Sequence, residues 1–297
     1  MDNDFLQVIS DILRNTSFPF RVTAAVAFGS RVRGEATPYS DFDLLIVAEG
    51  IPPKLHRRGE EICLIKKSLS LYPADVLLLT EREVRSNFSN HNPLFLDIAE
   101  DGRIVLDTDG FLEGLMAATR EYIKRRGIQK IHGGWIFPVE YGAASALSKV
   151  SNKDFAQAML TDAERDYAIG KRLVSDAYFD KAVYHFQQAV EKCVKAILIA
   201  MGVFQKTHFV GKVLRDYVGK GKIPEGRKRD LLEAADIAES MEPEVGLSRY
   251  PGIVEDSLWL PSEEYKEEDA TKALEKAGKV LAVTRAFVEQ WFSGQSG

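Results

Sequence analysis

The spacing of apolar positions changes character near the middle of the chain. Phe5, Leu6, Val8, Ile9, Ile12 and Leu13 recur at helical intervals, which predicts a short amphipathic helix at the start. From Val22 to about Leu106 the pattern turns into short apolar runs separated by turn residues. VTAAVAF (22–28), DFDLLIVA (41–48), DVLLL (75–79) and RIVLD (103–107) read as buried strands, and EREVRSN (81–87) opens a helix. Strands alternating with helices predict an α/β layer.

Asp107-Thr108-Asp109-Gly110 marks a turn, after which FLEGLMAATREYIKRRG reads as a helix ending at Gly127. The basic residues Lys124, Arg125 and Arg126 sit in its last turn, where the helix dipole favours them. Residues 128–150 hold the Gly, Pro and aromatic residues of a connector that also packs. Beyond Asn152 the reading is helical: 154–177, 180–201, 209–219, 226–241 and 262–292, the last with Ser262 as N-cap and an acidic first turn. The loop SRYPG (248–252) interrupts this series because its Pro and Gly forbid a continuous helix, and FSGQSG reads as a frayed tail. The expected organisation is 1–108 as one domain, 109–152 as a helix and packed connector, and 153–297 as a helical bundle.

Composition narrows the class. With 297 residues, 45% hydrophobic and 28% charged, the chain has the makeup of a globular protein under a charged surface. A net charge of −5 argues against broad, non-specific binding of nucleic acid. Cys63 and Cys193 form no zinc spacing and read as small buried residues in a reducing compartment. No apolar run approaches a membrane span, and the acidic, amphipathic start MDNDFLQVISDILRN differs from a signal peptide, so a cytoplasmic location is expected.

Residues 28–47, FGSRVRGEATPYSDFDLLIV, carry the candidate chemistry. One strand delivers its end to Gly29-Ser30, a loop with Gly34 and Pro38 follows, and the next strand carries Asp41 and Asp43. Strand side chains alternate, so positions two apart share a face. Two carboxylates side by side are costly without a cation, and Mg²⁺ suits one or two carboxylates plus substrate phosphates. The Gly-Ser turn offers backbone N–H groups and a hydroxyl to a phosphate, with Arg31 and Arg33 adding positive charge. Asp75, opening DVLLL, is a third carboxylate at the start of a strand. Three acids around two ions suit in-line attack on a phosphoryl group.

This stretch resembles the signature of the DNA polymerase beta-like nucleotidyltransferases: GS, a short basic loop with Gly, SDxDL, and a later strand Asp. Gly29, Ser30, Gly34, Ser40, Asp41, Asp43 and Leu44 match, and Asp75 fits the last position. The resemblance covers about residues 20–108. It implies Mg²⁺-dependent transfer of NMP from an NTP to a hydroxyl or phosphate acceptor, with release of pyrophosphate. Asp41, Asp43 and Asp75 are then the catalytic residues and metal ligands for two ions. Gly29 and Ser30 hold the β,γ-phosphates, with Arg33 and Ser40 completing the nucleotide site.

The second half resembles the HEPN family of helical bundles, through FQQAVEKCVKAIL in its second helix, His208 ahead of the third, and Arg249-Tyr250-Pro251 before the last. Some HEPN members are ribonucleases with an Arg-x(4–6)-His motif, but neither His185 nor His208 has an Arg at that distance, so no such nuclease is expected. The expected fold is therefore α+β: a polymerase-beta-like nucleotidyltransferase domain followed by an all-α HEPN-like bundle that shapes the acceptor side. The layout is similar to toxin–antitoxin pairs fused into one chain, with a small molecule, a protein or an RNA as acceptor and no membrane partner. The alternative is a non-catalytic nucleotide-sensing module that forms a homodimer through its helices.

Overall fold

The computed structural model describes residues 3–37, 40–145, 149–220, 223, 225–254 and 256–293. Pro38 and the tail beyond Ser293 lie outside the described residues. The chain forms two compact units, Met1–Ile128 and Gln129–Gly297.

In the first unit the order is α1 (Asn3–Asn15), β1 (Arg21–Phe28), α2 (Ser30–Arg33), β2 (Phe42–Glu49), α3 (Gly59–Ser68), β3 (Ala74–Leu79), α4 (Glu81–Ser89), α5 (Pro93–Asp101), β4 (Arg103–Asp107) and α6 (Phe111–Arg126). The strands line up as β3-β2-β1-β4, with β2 and β3 parallel and the other pairs antiparallel. Alternation along each strand divides the core in two. Leu44, Ile46, Val76 and Leu78 face α1 and α3 through Ile9, Leu13, Ile65 and Leu69. Leu45, Val47 and Leu79 face α4, α5 and α6 through Val84, Phe95 and Leu112. The sheet is thus covered on both sides, which explains why its strands read as continuous apolar runs. α4 starts with a capping box in which Thr80 and Glu83 satisfy each other's backbone N–H groups. α6 stops where Gly127 takes a left-handed conformation, leaving the three basic residues exposed in the last turn.

The second unit contains β5 (Gln129–Ile131), β6 (Gly134–Ile136), α7 (Asn152–Ser175), α8 (Phe179–Ala200), β7 (Val203–Gln205), α9 (Gly211–Lys220) and α10 (Glu225–Met241). Then come α11 (Glu244–Leu247), a hairpin of β8 (Gly252–Val254) and β9 (Ser257–Trp259), α12 (Pro261–Glu264) and α13 (Glu267–Ser293). α8 is the central helix, buried on nearly every side and packed by α7 and α13. A Cβ on Gly170 of α7 would sit 2.6 Å from the Phe186 ring of α8, so glycine sets how closely this hairpin packs. Two features depart from expectation. β6 pairs with both β5 and β7, so the packed connector contributes two strands to a small sheet that its sequence had not announced. The last helix is broken: Tyr265 is extended, and its hydroxyl binds the Glu244 carboxylate. Ser262 therefore lies inside the short α12 and does not cap α13, whose start is instead tied by Asp269 accepting from the Lys266 N–H.

The α7–α8 interface also holds charge. The half-buried Lys192 ammonium meets Asp162 at 2.5 Å and Asp166 at 2.6 Å, and His185 Nδ1 lies 2.9 Å from the other Asp166 oxygen. Burial opposes the charge on Lys192, but its hydrogen bonds to the two aspartates outweigh burial and raise its pKa. A raised lysine contributes stability below its unfolded value of 10.5 and loses it only as pH climbs beyond. Lys192→Met is expected to cost about 2 kcal/mol at neutral pH. Thermal unfolding should show a Tm lower by roughly 5 °C, and an unchanged Tm would count against this role.

Candidate active site

β1 and β2 run antiparallel, so the end of β1 lies beside the start of β2, with Phe28 opposite Asp43. β2 and β3 run parallel, and their register places Asp43 directly beside Asp75. Both side chains continue the rows that begin at Leu45 and Leu77, on the sheet face covered by α4–α6 further along. At the strand starts the cover ends: Asp43 is half-buried and Asp75 exposed. Strand neighbours lie about 4.8 Å apart, so two carboxylates are held on one open edge of the sheet. Asp41 is also exposed but precedes β2 rather than lying within it, a small departure from the expected placement on the strand.

Gly29 sits between β1 and α2 with φ +82° and ψ −163°. A Cβ there would fall 1.8 Å from Asp43 Oδ2, so the carboxylate lies directly against the glycine Cα. Ser30 begins α2, and Gly34 ends it in a left-handed conformation. The returning loop is tied by Arg31, whose Nε donates to the Ser40 carbonyl at 2.6 Å and whose guanidinium lies 4.3 Å from the Phe42 ring centre. Ser40 Oγ accepts from the Thr37 N–H at 3.0 Å. Arg33 is held by Glu35 at 2.7 Å and faces Asp101 at 3.7 Å; burial opposes its charge, and these carboxylates raise its pKa in spite of it.

The structure therefore brings Gly29, Asp43 and Asp75 to one edge, with Ser30 following Gly29. It gives Ser40 a loop-anchoring bond and leaves Arg33 engaged with carboxylates. Two residues had not been singled out in their actual places. Lys66 of α3 reaches Asp75 at 3.4 Å, and its only sequence signal is the Lys pair that ends α3 before β3. Arg31 serves as a tether for the loop rather than as free positive charge.

Whether these residues suit Mg²⁺ is a question of donor chemistry. All the oxygens on this edge are hard carboxylate donors, and Mg²⁺ typically takes one or two carboxylates with substrate phosphates filling other positions. Asp43 beside Asp75 meets that requirement. Among the described residues no group of three His, Cys, Asp or Glu side chains is spaced as a ready-made metal cage.

In the second unit, His208 Nδ1 lies 2.9 Å from Glu191, which also pairs with Lys195 at 2.8 Å. The Arg249 guanidinium stacks over Tyr184 at 5.2 Å and Tyr250 at 4.9 Å, with no carboxylate partner among the described residues. Trp135 and Phe137 are core residues. Cys193 is buried and its thiol pKa is pushed up to about 12 by desolvation, whereas Cys63 is exposed, against the expectation of two buried cysteines.

A sheet edge bearing paired aspartates beside a Gly-Ser turn, and a helical unit built around a central hairpin, define a two-part protein. The chain carries a nucleotidyltransferase domain, matched over residues 9–106, and belongs through residues 156–287 to the HEPN domain family. Two proteins of Methanocaldococcus jannaschii are each similar to part of the chain. "Putative toxin MJ1304" is 37% identical over 139 residues, covering 47% of this chain and 91% of the relative. "Putative protein adenylyltransferase MJ1305" is 29% identical over 106 residues, covering 34% of this chain and 69% of the relative. The crystal structure of ST0689, an archaeal HEPN homologue, is similar at 25% identity and a TM-score of 0.35, over 45% of this chain and 97% of that one. No helix among the described residues is long and apolar enough to cross a membrane.

Proposed function

We propose that this chain transfers NMP from an NTP to a hydroxyl on a protein acceptor, releasing pyrophosphate. The observation that carries this reading is the side-by-side register of Asp43 and Asp75, with Gly29 pressed against Asp43. The nucleotidyltransferase match and the protein adenylyltransferase named among its relatives support the reaction class and favour ATP. Resemblance to a toxin-like relative in the second half makes the chain's own HEPN unit a first acceptor to test.

Asp43 and Asp75 are the residues to hold Mg²⁺, with Asp41, two positions ahead of Asp43, as a further carboxylate that could join them; bound there, the ion would neutralise phosphate charge and favour an ionised acceptor oxygen. The N–H groups at the start of α2 lack intrahelical acceptors and, with Ser30 Oγ, can hold the β,γ-phosphates. In the transfer, the acceptor oxygen forms a bond to the α-phosphorus as the bond to the bridging oxygen breaks. The acceptor proton leaves toward the aspartate edge, and pyrophosphate departs past the Gly29-Ser30 turn. Lys66 shields the Asp75 charge when no cation is present.

The test is pyrophosphate release with each of the four NTPs and Mg²⁺, run beside intact-protein mass. ATP-dependent release with a mass gain of one AMP is expected. Asp75→Asn should lower the rate about a hundredfold, and an undiminished rate in that variant would sink the proposed site. An NTP-induced rise in Tm without any pyrophosphate release would favour the nucleotide-sensing reading instead.

A further inference from the structure

The aspartate edge carries a cation of its own. Ile65 and Leu69 are buried against the sheet face opposite that of the aspartates and fix α3 there. β3 is an outer strand, so Lys66, next to Ile65, can send its four-carbon stem round the free side of the sheet. Its ammonium ends 3.4 Å from Asp75 Oδ1. Asp75 therefore stands between Asp43 on the neighbouring strand and Lys66 beyond the edge. The two nearby arginines are committed elsewhere: Arg31 tethers the Ser40 carbonyl, and Arg33 is engaged by Glu35 and Asp101.

The Lys66–Asp75 pair is loose. Both side chains are exposed, and such a pair adds little to stability. Its effect on an arriving ligand is larger, because that effect takes the sign of the ligand's charge. A bare divalent cation meets the ammonium together with the carboxylates and is repelled by it. The same ion carried by a nucleoside triphosphate belongs to a complex of net negative charge, which the ammonium attracts. Lys66 can then leave Asp75 and pair with phosphate oxygens instead. We propose that Lys66 makes this edge selective for the metal–nucleotide complex over the free ion, occupying Asp75 until the complex arrives. The inference rests on the aspartate edge as the metal site and adds to it an order of binding, in which metal enters with nucleotide.

Mn²⁺ is the probe for the free ion, measured by the loss of its unbound paramagnetic resonance signal on addition of the full chain. The α,β-methylene analogue of ATP with Mg²⁺ is the probe for the complex, titrated by calorimetry, because its carbon bridge blocks transfer. Lys66→Gln is expected to bind Mn²⁺ about fivefold more tightly than the wild type and the analogue complex about fivefold more weakly. Opposite signs are the signature, since a merely structural loss would weaken both. Lys66→Arg, which keeps the charge, should stay within about twofold of the wild type for either probe. Lys67→Gln removes the same charge from an exposed position one residue on, and should also change each affinity by less than about twofold. Unchanged affinities in Lys66→Gln, or changes of the same sign for both probes, would overturn the proposal. Asp75→Asn separates it from the reading beneath it. Loss of Mn²⁺ binding in Asp75→Asn, with Lys66→Gln behaving as the wild type, sinks the role of Lys66 alone. Mn²⁺ binding that Asp75→Asn leaves intact sinks the metal site and the role of Lys66 together.

Discussion

Gly29→Ala is expected to reduce nucleotidyl transfer by about a thousandfold or more while the unit stays folded. The added Cβ would sit 1.8 Å from Asp43 Oδ2 and 2.6 Å from its Cγ, far inside any tolerable contact. The backbone cannot yield easily, because φ +82° already excludes a comfortable conformation for an L-residue. The carboxylate must therefore leave its place beside Asp75. Displacing a positioned group by about 1 Å can cost about a hundredfold, and losing its charge stabilisation costs a further large factor. Gly34→Ala is the matched comparison. Its φ is +77°, but nothing lies within 4 Å of the new Cβ, so it should lower stability by about 1 kcal/mol and leave transfer largely intact. Pyrophosphate release by both variants, normalised to folded protein by circular dichroism, decides the matter. Wild-type turnover by Gly29→Ala would show that Asp43 does not act from this position.

The second large effect concerns stability. Arg58 places a guanidinium in the interior, with a side chain only 1% exposed. Its Nε donates to the Pro52 carbonyl at 2.7 Å, Nη1 to the Leu78 carbonyl at 2.9 Å, and Nη2 to the Pro53 carbonyl at 3.3 Å. The two terminal nitrogens also grip Glu83 in a fork, at 2.8 and 2.9 Å. One side chain thus joins the loop after β2, the end of β3 and the capping box of α4. Arg58→Ala leaves three carbonyls and a carboxylate without their donor, and should cost about 3–5 kcal/mol, read as a fall in denaturation midpoint at unchanged m-value. Arg58→Lys should recover little, because a lysine cannot fork. A loss below about 1 kcal/mol would mean that water replaces the guanidinium without penalty.

The same pair sets a pH dependence. Burial pushes the Glu83 carboxyl up, but hydrogen bonds from Arg58 and Thr80 and the Arg58 charge outweigh it and hold the pKa below its ordinary 4.5. A depressed carboxylate contributes stability above its unfolded pKa and loses it as pH falls through the folded one. The wild type should therefore lose stability below about pH 4.5, and Arg58→Ala should lose less over that window.

Much of the first unit was legible because its strands are covered on both faces. Runs such as DLLIV and DVLLL have the length and apolarity of buried strands, and two-residue alternation put Asp43 on a defined face. What alternation cannot supply is the partner. That Asp75 stands beside Asp43 depends on a parallel register across 32 positions of sequence, fixed by tertiary packing. Arg58 left no trace, since an arginine among HRRGEE reads as solvated surface until the carbonyls around it are known. Cys63 misled for the opposite reason, its apolar character suggesting burial on a helix that leaves it exposed. In the second unit the long helices declared themselves by period and caps. The three-residue strands β5, β6 and β7 are too short to carry a period, and the break at Tyr265 rests on a hydroxyl that binds Glu244 from a distant turn.

The small sheet that joins β6 to β7 has a consequence for the order of events during synthesis. Gly134 pairs with Gln205, so the seam cannot close until about seventy further residues have left the ribosome. By then the whole of α7 and of α8 is available to pair locally. The helical hairpin is thus placed to form before the strands meet, and the seam acts as a latch fastened afterwards rather than as a nucleus.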